Sequence, residues 1–467
     1  MITKGGIDMS DAAVGDVADL ALVPQNPLPL RQRMAAAREY HVGQELLREA
    51  GGSVTRVPLG PKWLAPSIVF VMSPTGARDV LSRNHDWCDR TEVHRQIRLI
   101  LGDNLAGLPN KPWLSRKRTL QPLFTKPHVR EFASHMSQAA TMIADGWDDD
   151  AQIDLDTQAR TLTMRVLGRS VLGLDLDQHA ESLSGPLNVA LAFVADRGMR
   201  PVRAPLWLPT PARQRMRRAT ATMQKLAADV LELVRNDPSH DAPLVRALLE
   251  ATDPETGRAL SDADIVSDLI AFMVAGTDTT ATTLAYALWA LGHDPSIQDR
   301  VAAEAAALGE RDLTPDDLPR LGYTVQVLHE ALRLCPPVVV AGRTAMRDID
   351  VDGYRVEANS MVLVGIFGMH RDPALWPNPM KFDPSRFEPE NARARDRWSY
   401  IPFGSGPRSC IGDHFATLET TLALATIIRD TEIRSLNDDF PLAVPFTMVA
   451  GAPIPARVRR RRRPPGS

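Results

Sequence analysis

The stretch "IPFGSGPRSCIGDHFATLE", residues 401–419, holds one of the three cysteines of the chain, and it decides how the remaining sequence is interpreted. Three glycines surround Cys410, and glycine allows backbone angles closed to other residues and a close approach to a flat partner. An apolar helical pattern follows. A helix N-terminus, together with the charge of Arg408, would stabilise a thiolate at Cys410. A lone, shielded thiolate against a flat partner is typical of axial ligation to haem iron.

Other uses of a lone cysteine fit this stretch less well. A zinc site would need two to four Cys or His ligands at short spacing, and His414 is the one further candidate nearby. A nucleophilic cysteine would need an oriented base, and the glycines would then have no explanation. A buried inert cysteine is disfavoured by the complete pattern F-G-x-G-x-R-x-C-x-G.

The composition is that of an ordinary globular protein. The 467 residues are 44% hydrophobic and 24% charged, with a net charge of -3, which argues against disorder and against nucleic-acid binding. Cys88, Cys335 and Cys410 lie far apart, so we expect no disulfide framework and a reducing compartment. The sequence shows neither a signal-peptide pattern nor an apolar run of roughly 18 residues, so we expect a cytoplasmic protein without a membrane anchor.

The chain divides into three parts on sequence grounds. Residues 1–25 and the basic tail 457–467 are predicted to be disordered, and residues 26–456 are predicted to form a single catalytic domain. Long helical patterns lie between short β-rich stretches, which predicts a mainly α fold with small β-sheets, an α+β class. A hairpin is predicted in residues 349–366, around Asp352-Gly353.

One predicted helix, residues 261–292, has a polar centre. Ser261 and Asp264 have the spacing of an N-terminal capping box. The centre, "AGTDTT" (275–280), combines a glycine with clustered threonines, both unfavourable in a helix interior. Two interpretations are equally supported by this segment: a proton relay through Asp278 and its neighbouring hydroxyls, or a close crossing of two helices.

A second helix carries an acid–base pair. Glu330 and Arg333 lie three residues apart, hence on one face. An isolated pair of this kind is usually a surface ion pair that contributes little to stability. Because the flanking residues are apolar, a buried pair is credible here, with Arg386 of "FDPSRF" as a third member.

Together these motifs resemble those of the cytochrome P-450 family, in family order from about residue 50 to the end of the chain. The cysteine loop, the "AGTDTT" helix, the Glu330-x-x-Arg333 pair and the "FDPSRF" segment each match. The resemblance implies a largely α triangular prism with small β-sheets, in which haem b lies between the long helix and the cysteine loop. It also implies that Glu330, Arg333 and Arg386 are structural.

The resemblance assigns roles to individual residues. Cys410 would be the metal ligand, and Asp278 and Thr279 would deliver protons as an acid–alcohol pair. The residues that would hold the haem are Trp113, Lys117, Arg343, Phe403, Arg408, Cys410 and Gly412. At the position of Lys117 relatives commonly have Arg or His, so Arg116 and Arg118 are alternatives.

The resemblance also implies an apolar substrate pocket. Its expected residues are Phe272, Ala275, Val339, Val340 and Met448. Such a lining suits a lipophilic small molecule. Fatty acids, terpenes, steroids and polyketides all remain open as substrates.

The function that follows is monooxygenation. The enzyme would insert one atom of O₂ into its substrate with electrons from NAD(P)H, delivered by an external ferredoxin or flavodoxin and its reductase. We expect it to act as a monomer. A peroxide-driven peroxygenase and a non-catalytic haem-binding sensor or carrier are alternatives, and the intact Asp278–Thr279 pair disfavours both. Basic residues at 116–118, 126 and 130 predict a landing site for an acidic electron donor, or a simply solvated face.

Overall fold

The computed structural model describes residues 17–60, 67–174, 180–200 and 203–461. Within these ranges the α-helices are α1 (Leu30–Arg38), α2 (Gly43–Gly51), α3 (Pro74–Arg78), α4 (Glu92–Leu101), α5 (Asn110–Leu120), α6 (Lys126–Arg130), α7 (Ala133–Asp145), α8 (Leu155–Leu167), α9 (Ala180–Met199), α10 (Pro211–Asn236), α11 (Pro243–Glu250), α12 (Asp262–Leu291), α13 (Pro295–Ala306), α14 (Gly322–Leu334), α15 (Ile366–Met369), α16 (Pro389–Ala394) and α17 (Asp413–Asp430).

The strands are short by comparison. They are β1 (Val54–Val57), β2 (Ile68–Val71), β3 (Cys88–Asp89), β4 (Gln152–Asp154), β5 (Val340–Ala345), β6 (Ile349–Val351), β7 (Tyr354–Val356), β8 (Met361–Gly365), β9 (Thr431–Ser435), β10 (Leu442–Ala443), β11 (Val449–Ala450) and β12 (Pro455–Arg460). The mainly α architecture with small sheets confirms the predicted fold class.

Helix α12 runs through the largest hydrophobic core, where it packs against α8, α10, α14 and α17. Its start is set by a capping box: the Asp264 N–H donates to Ser261 Oγ at 3.2 Å, and the Ser261 N–H donates to Asp264 Oδ2 at 3.1 Å. The predicted start of this helix is therefore confirmed.

The largest sheet has five strands in the order β1-β2-β8-β5-β3, and it mixes antiparallel pairs with the parallel pair β2–β8. The predicted hairpin is present as β6 and β7. Its two turn residues, Asp352 and Gly353, have φ values of 53° and 79°, the left-handed angles that a tight type I′ turn requires.

The chain ends differ in part from expectation. Residues 1–16 and 462–467 lie outside the described residues, but 17–25 and 457–461 belong to the fold. Val23 is 2% exposed within a core cluster. Strand β12 pairs with β4 and β9, and Arg457 Nη1 lies 3.0 Å from Asp150 Oδ2. The arginine run was predicted to be a disordered tail. Instead Arg457 and Arg459 pair with Asp150, and Arg460 and Arg461 pair with Asp145 and Asp299.

Among the described residues, no helix combines the length and the apolar character needed to cross a membrane.

Candidate functional site

The cysteine loop folds back on itself immediately before α17. The Cys410 N–H donates to the Phe403 carbonyl at 2.9 Å. Gly404 and Gly406 have φ values of 68° and 73°. A Cβ on Gly406 would lie 2.1 Å from the Leu81 carbonyl oxygen, so only glycine fits. The loop thereby presents the Cys410 side chain to an internal cavity.

This cavity has a volume of about 410 Å³ and lies between the cysteine loop and α12. Most of the predicted cofactor and substrate residues line it, and so does the predicted catalytic residue Thr279. The cofactor and substrate residues are Phe272, Ala275, Val340, Arg343, Phe403, Arg408, Cys410 and Gly412. The rest of its wall is largely apolar and includes Phe124, Leu244, Val338, Ala341 and Phe415.

The electrostatics of the Cys410 thiol differ from the sequence argument. Although the side chain is open to the cavity, it lies deep in the protein, and burial raises its pKa to about 11. The Gly412 backbone N–H and the Lys117 ammonium lower this pKa, but burial outweighs them. The fold without a metal therefore keeps the thiol protonated, whereas a coordinating metal would deprotonate it outright.

Three arginines reach the cavity with unused hydrogen-bond donors. Arg90, Arg343 and Arg408 all line it, and the Nε atom of each is buried without a hydrogen-bond partner. Unpaired buried donors are costly, so such a cluster suits an anionic ligand. A haem, with two propionate carboxylates at one edge of a flat ring, fits both these donors and the glycine loop.

Arg90 was missed by the sequence analysis. It stands between β3 and α4, in a stretch, "CDRTEV", without a recognised motif. Its Nη1 lies 3.3 Å from His94 Nε2, and the Thr91 hydroxyl lies 2.9 Å from His94 Nδ1. Burial, followed by the charge of Arg90, lowers the pKa of His94, so this imidazole is neutral and accepts from Arg90.

Trp113 and Lys117 lie behind the cavity wall. Trp113 is 3% exposed, and the guanidinium of Arg408 stands 4.3 Å from its ring centroid. The Lys117 ammonium lies 5.4 Å from the same ring and donates to the Pro407 carbonyl of the cysteine loop. The two residues therefore support Arg408 and the loop from outside the cavity.

The two neighbours of Lys117 turn away from the cavity. Arg116 is 8% exposed and pairs with Asp264 and Asp268 of α12. Arg118 Nη2 lies 3.2 Å from Asp253 Oδ2. Consecutive helical residues project about 100° apart, which is why three adjacent basic side chains meet three different partners. The structure therefore places Arg116 and Arg118, the alternatives to Lys117, away from both the cavity and the cysteine loop.

On α12 the acid and the alcohol face different ways. Thr279 lines the cavity, and its hydroxyl donates to the Ala275 carbonyl at 2.5 Å. Asp278 does not line the cavity, because its carboxylate pairs with Arg160 of α8. Arg160 Nε in turn lies 2.7 Å from Asp156 Oδ2.

The same stretch is also a close helix crossing. A Cβ on Gly276 would lie 3.1 Å from Leu167 Cδ1 of α8. The crossing interpretation is therefore confirmed, while the proton relay stays a prediction.

Glu330 and Arg333 are both fully buried and form a two-point pair, with Arg333 Nε 2.7 Å from Glu330 Oε2 and Nη2 2.8 Å from Oε1. The Asp383 N–H donates to Glu330 Oε1 at 2.9 Å, and Arg386 Nε lies 3.4 Å from the same oxygen. Burial raises the pKa of Glu330, and Arg333 acts the other way. Its carboxylate thus has the further partners that a buried pair needs.

Two predicted pocket residues are not at the cavity wall. Val339 is 3% exposed in the core, because it lies between Val338 and Val340 in extended chain and points the opposite way. Met448 is fully buried, with its sulfur 3.6 Å from Cys335 Sγ. The structure therefore does not place Val339 and Met448 in the pocket that the resemblance implied.

Comparisons with known proteins give the chain a family. The family model described as Cytochrome P450 matches residues 24–457. Cyclooctat-9-en-7-ol 5-monooxygenase from Streptomyces melanosporofaciens is 31% identical, covering 82% of this chain and 83% of the relative. Cyclooctatin synthase from the same organism is 32% identical, covering 81% and 82%. The crystal structure of the cytochrome P450DA heme domain has a TM-score of 0.83 at 24% identity, covering 95% of this chain and 98% of that one.

The chain therefore belongs to the cytochrome P450 family and is a monooxygenase of that family. Enzymes of this family use haem and O₂.

Proposed function

We propose that this P450 holds its haem through Cys410 as the proximal ligand and oxygenates a cyclic terpenoid. One observation supports the haem site most strongly: the Cys410 side chain faces the same cavity as three arginines. The buried Nε atom of each of these arginines has no hydrogen-bond partner. Bound haem supplies the iron at which O₂ is activated, and a thiolate ligand donates electron density that favours O–O cleavage.

The chain supplies a complete setting for the haem. Arg90, Arg343 and Arg408 would bind the propionates with charge-assisted hydrogen bonds. The Arg408 guanidinium packs against the Trp113 ring, and Lys117 holds the cysteine loop by donating a hydrogen bond to the Pro407 carbonyl. Phe403 and Gly412 complete the wall beside Cys410.

Proton delivery would be divided between neighbouring residues of α12. The Thr279 hydroxyl faces the cavity and would hold a proton donor there. Asp278, held by Arg160, would pass protons inward from the α8 side when its side chain leaves that pair. The enzyme would then use O₂ and electrons from its redox partner, and it would not need added peroxide.

The substrate proposal rests on the residues that line the cavity and on the names of similar proteins. The cavity is lined by aromatic and aliphatic side chains, including Phe124, Phe272 and Val340. Its three arginines would be taken up by the propionates, which leaves no free cation among the described lining residues for a fatty-acid carboxylate. One relative is named for a cyclic unsaturated alcohol as its substrate, with oxygenation at position 5. A cyclic terpene, or a terpene alcohol, fits this combination.

The electron donor would be an external ferredoxin or flavodoxin reduced by NAD(P)H. It would dock near Lys117, which touches the cysteine loop, and near exposed Lys126. Arg116 is excluded from this landing site by its burial.

The test is a binding titration followed by turnover. Purified protein is titrated with cyclic terpenes, terpene alcohols and matched fatty acids while the spin state of the haem is followed by absorption. Terpenoids that shift the spectrum are incubated with ferredoxin, reductase and NADPH, and products are identified by mass spectrometry. We expect a product one oxygen atom heavier than a terpenoid.

Other outcomes separate the alternatives. A spectral shift and product with fatty acids alone would overturn the terpenoid proposal. Product with hydrogen peroxide at a rate equal to that with the ferredoxin system would favour the peroxygenase.

A further inference from the structure

Arg116 of α5 lies inside the protein and joins elements that are distant in sequence. Its guanidinium donates to Asp264 and Asp268, which lie four residues apart on one face of α12. Its Nη1 also lies 3.4 Å from the Asp103 carbonyl, in the loop that follows α4. At 8% exposure it is not the surface cation that the sequence suggested.

Asp268 also contacts the loop that follows α4. It is fully buried, and while its Oδ2 accepts from Arg116, its Oδ1 accepts the Leu105 N–H at 2.8 Å. We call residues 102–108 the cavity loop, because Ala106 within it lines the haem cavity. One buried carboxylate thus binds both α5 and the cavity loop to α12.

The cavity loop approaches α12 closely at its first residue. Gly102 has a φ of 90°, and a Cβ there would lie 2.3 Å from Ser267 Oγ. At its other end, the Leu108 carbonyl accepts from Arg408 at 3.1 Å. The loop is therefore fastened to α12 on one side and to the haem-binding arginine on the other.

The interior of the cavity loop is tied together by one side chain. Asn104 donates to the Gly102 carbonyl at 2.9 Å and accepts the Gly107 N–H at 3.0 Å. The loop contains no helix or strand, so it is held by the packing of Leu105 and Leu108 together with these few polar contacts. Segments of this kind open locally at low cost when such contacts are lost.

We propose that Arg116 and Asp268 are positioning residues that clamp the cavity loop onto α12, and that release of this clamp admits lipophilic ligands past Ala106 into the haem cavity. The entry half of this inference rests on the proposed haem site, whereas the clamp itself does not. It gives Arg116 a role in substrate access in place of one in electron transfer.

Two conservative variants test the clamp. Arg116 and Leu105 use different oxygens of Asp268, and in Asp268→Asn one of these positions becomes an NH₂ donor, so one of the two hydrogen bonds is lost. In Arg116→Lys the ammonium keeps the charge but lacks the fork that reaches Asp264 and Asp268 together. Butyl isocyanide, a neutral haem ligand, is mixed rapidly with each protein, and amide exchange at Leu105 is followed by mass spectrometry or NMR.

We expect isocyanide entry and Leu105 exchange both to become faster, on the order of tenfold, because charge-assisted hydrogen bonds that hold the loop are weakened. The matched control is Arg118→Lys, which makes the same change two residues away at an ion pair with Asp253 that does not touch the cavity loop. Its entry rate and Leu105 exchange should equal those of the wild type.

Rates in Asp268→Asn and Arg116→Lys equal to the wild-type rates would overturn the clamp, and faster exchange without faster entry would overturn its role in access. If neither variant folds, the wild type alone decides: a Leu105 amide that exchanges at an unprotected rate contradicts the clamp. Failure of the isocyanide to give any haem spectrum in the wild type would reject the haem site, while Leu105 exchange would still test the clamp.

Discussion

Two clusters of buried arginine and carboxylate differ in how far apart their members lie in the sequence. Glu330 and Arg333 are three residues apart on one helix, and both are fully buried. Arg116 and Asp268 are 152 residues apart and join two helices to a loop. The first pair was predicted from its spacing and its apolar neighbours. The second was not predicted, because nothing local in "WLSRKRTL" (113–120) indicates where Arg116 points.

The clusters also differ in what they hold. Glu330 accepts from Arg333 twice and from the Asp383 N–H, and Arg386 lies beside it, so the first cluster fixes the chain after α14 against that helix. Asp268 has one of its oxygens on a loop amide. We therefore expect changes in the first cluster to affect mainly stability, and changes in the second to affect mainly the cavity.

The largest effect is expected from Glu330→Ala. Removing one partner of a fully buried pair leaves the Arg333 charge uncompensated and costs about 3–5 kcal/mol. Little soluble, haem-loaded protein should be recovered, as measured by the yield and the haem content per chain. Lys225→Ala, which breaks an exposed pair with Asp229, is the control and should cost well below about 1 kcal/mol. A normal yield for Glu330→Ala would show that the pair is not an anchor.

The same region should also lose stability in acid through His329. Burial, followed by the charge of Arg395, lowers the pKa of His329 from 6.5 to about 4. A depressed histidine contributes stability that is present above pH 6.5 and is lost as the pH falls toward 4, about 3 kcal/mol in full.

Urea unfolding at pH 7 and pH 4.5 measures this loss of stability. In His329→Gln the loss between these two pH values should be smaller, because the contribution of His329 is absent. Equal losses in the wild type and the variant would show that the neutral imidazole is not linked to folding.

On the cavity side, Thr279→Ala should change the reaction and leave the fold intact. Without the hydroxyl, electrons from NADPH should be diverted to peroxide, and product per electron should fall about tenfold or more. Thr277→Val is the control, because the Thr277 hydroxyl donates to the Met273 carbonyl at 2.8 Å and does not line the cavity. Product and peroxide are measured in the same reaction, with a substrate that the wild-type enzyme oxygenates. Unchanged coupling in Thr279→Ala would remove this hydroxyl from the mechanism.

The smallest effect is expected at the surface. Lys126 is exposed, and reversing its charge should slow reduction by an acidic ferredoxin a few-fold at low salt, since complementary charge mainly raises association rates. The effect should fade as salt rises, because charges are screened beyond about 8 Å at physiological salt. Stopped-flow reduction of Lys126→Glu is compared with Lys225→Glu. Equal rates for both variants would place the donor elsewhere.

The sequence predicted those parts of the fold and the site that are encoded locally. The backbone of the cysteine loop, the Ser261 capping box and the Asp352-Gly353 turn each depend on neighbouring residues, and each is found as expected. The raised pKa of the Cys410 thiol was not expected, because it depends on burial. Arg90 escaped notice because its role depends on where Arg343 and Arg408 lie in space.

The errors have a common physical cause. Val339 and Met448 were assigned to the pocket by resemblance, while the direction of each side chain is set by packing. The arginines at 457–461 were assigned to a disordered tail because their partners are remote in sequence: Asp150 for Arg457 and Arg459, Asp145 for Arg460 and Asp299 for Arg461. Direction and long-range pairing are the two properties that a local pattern does not contain.

The central claim, that Cys410 is the thiolate ligand of a haem, is tested most directly by the absorption spectrum of the reduced protein with carbon monoxide. We expect the strongly red-shifted band of a thiolate-ligated haem in the wild type, and its loss in Cys410→Ser. Cys335→Ser, at a buried cysteine next to Met448, should keep the band. A Cys410→Ser protein that retains haem and the red-shifted band would show that Cys410 is not the iron ligand.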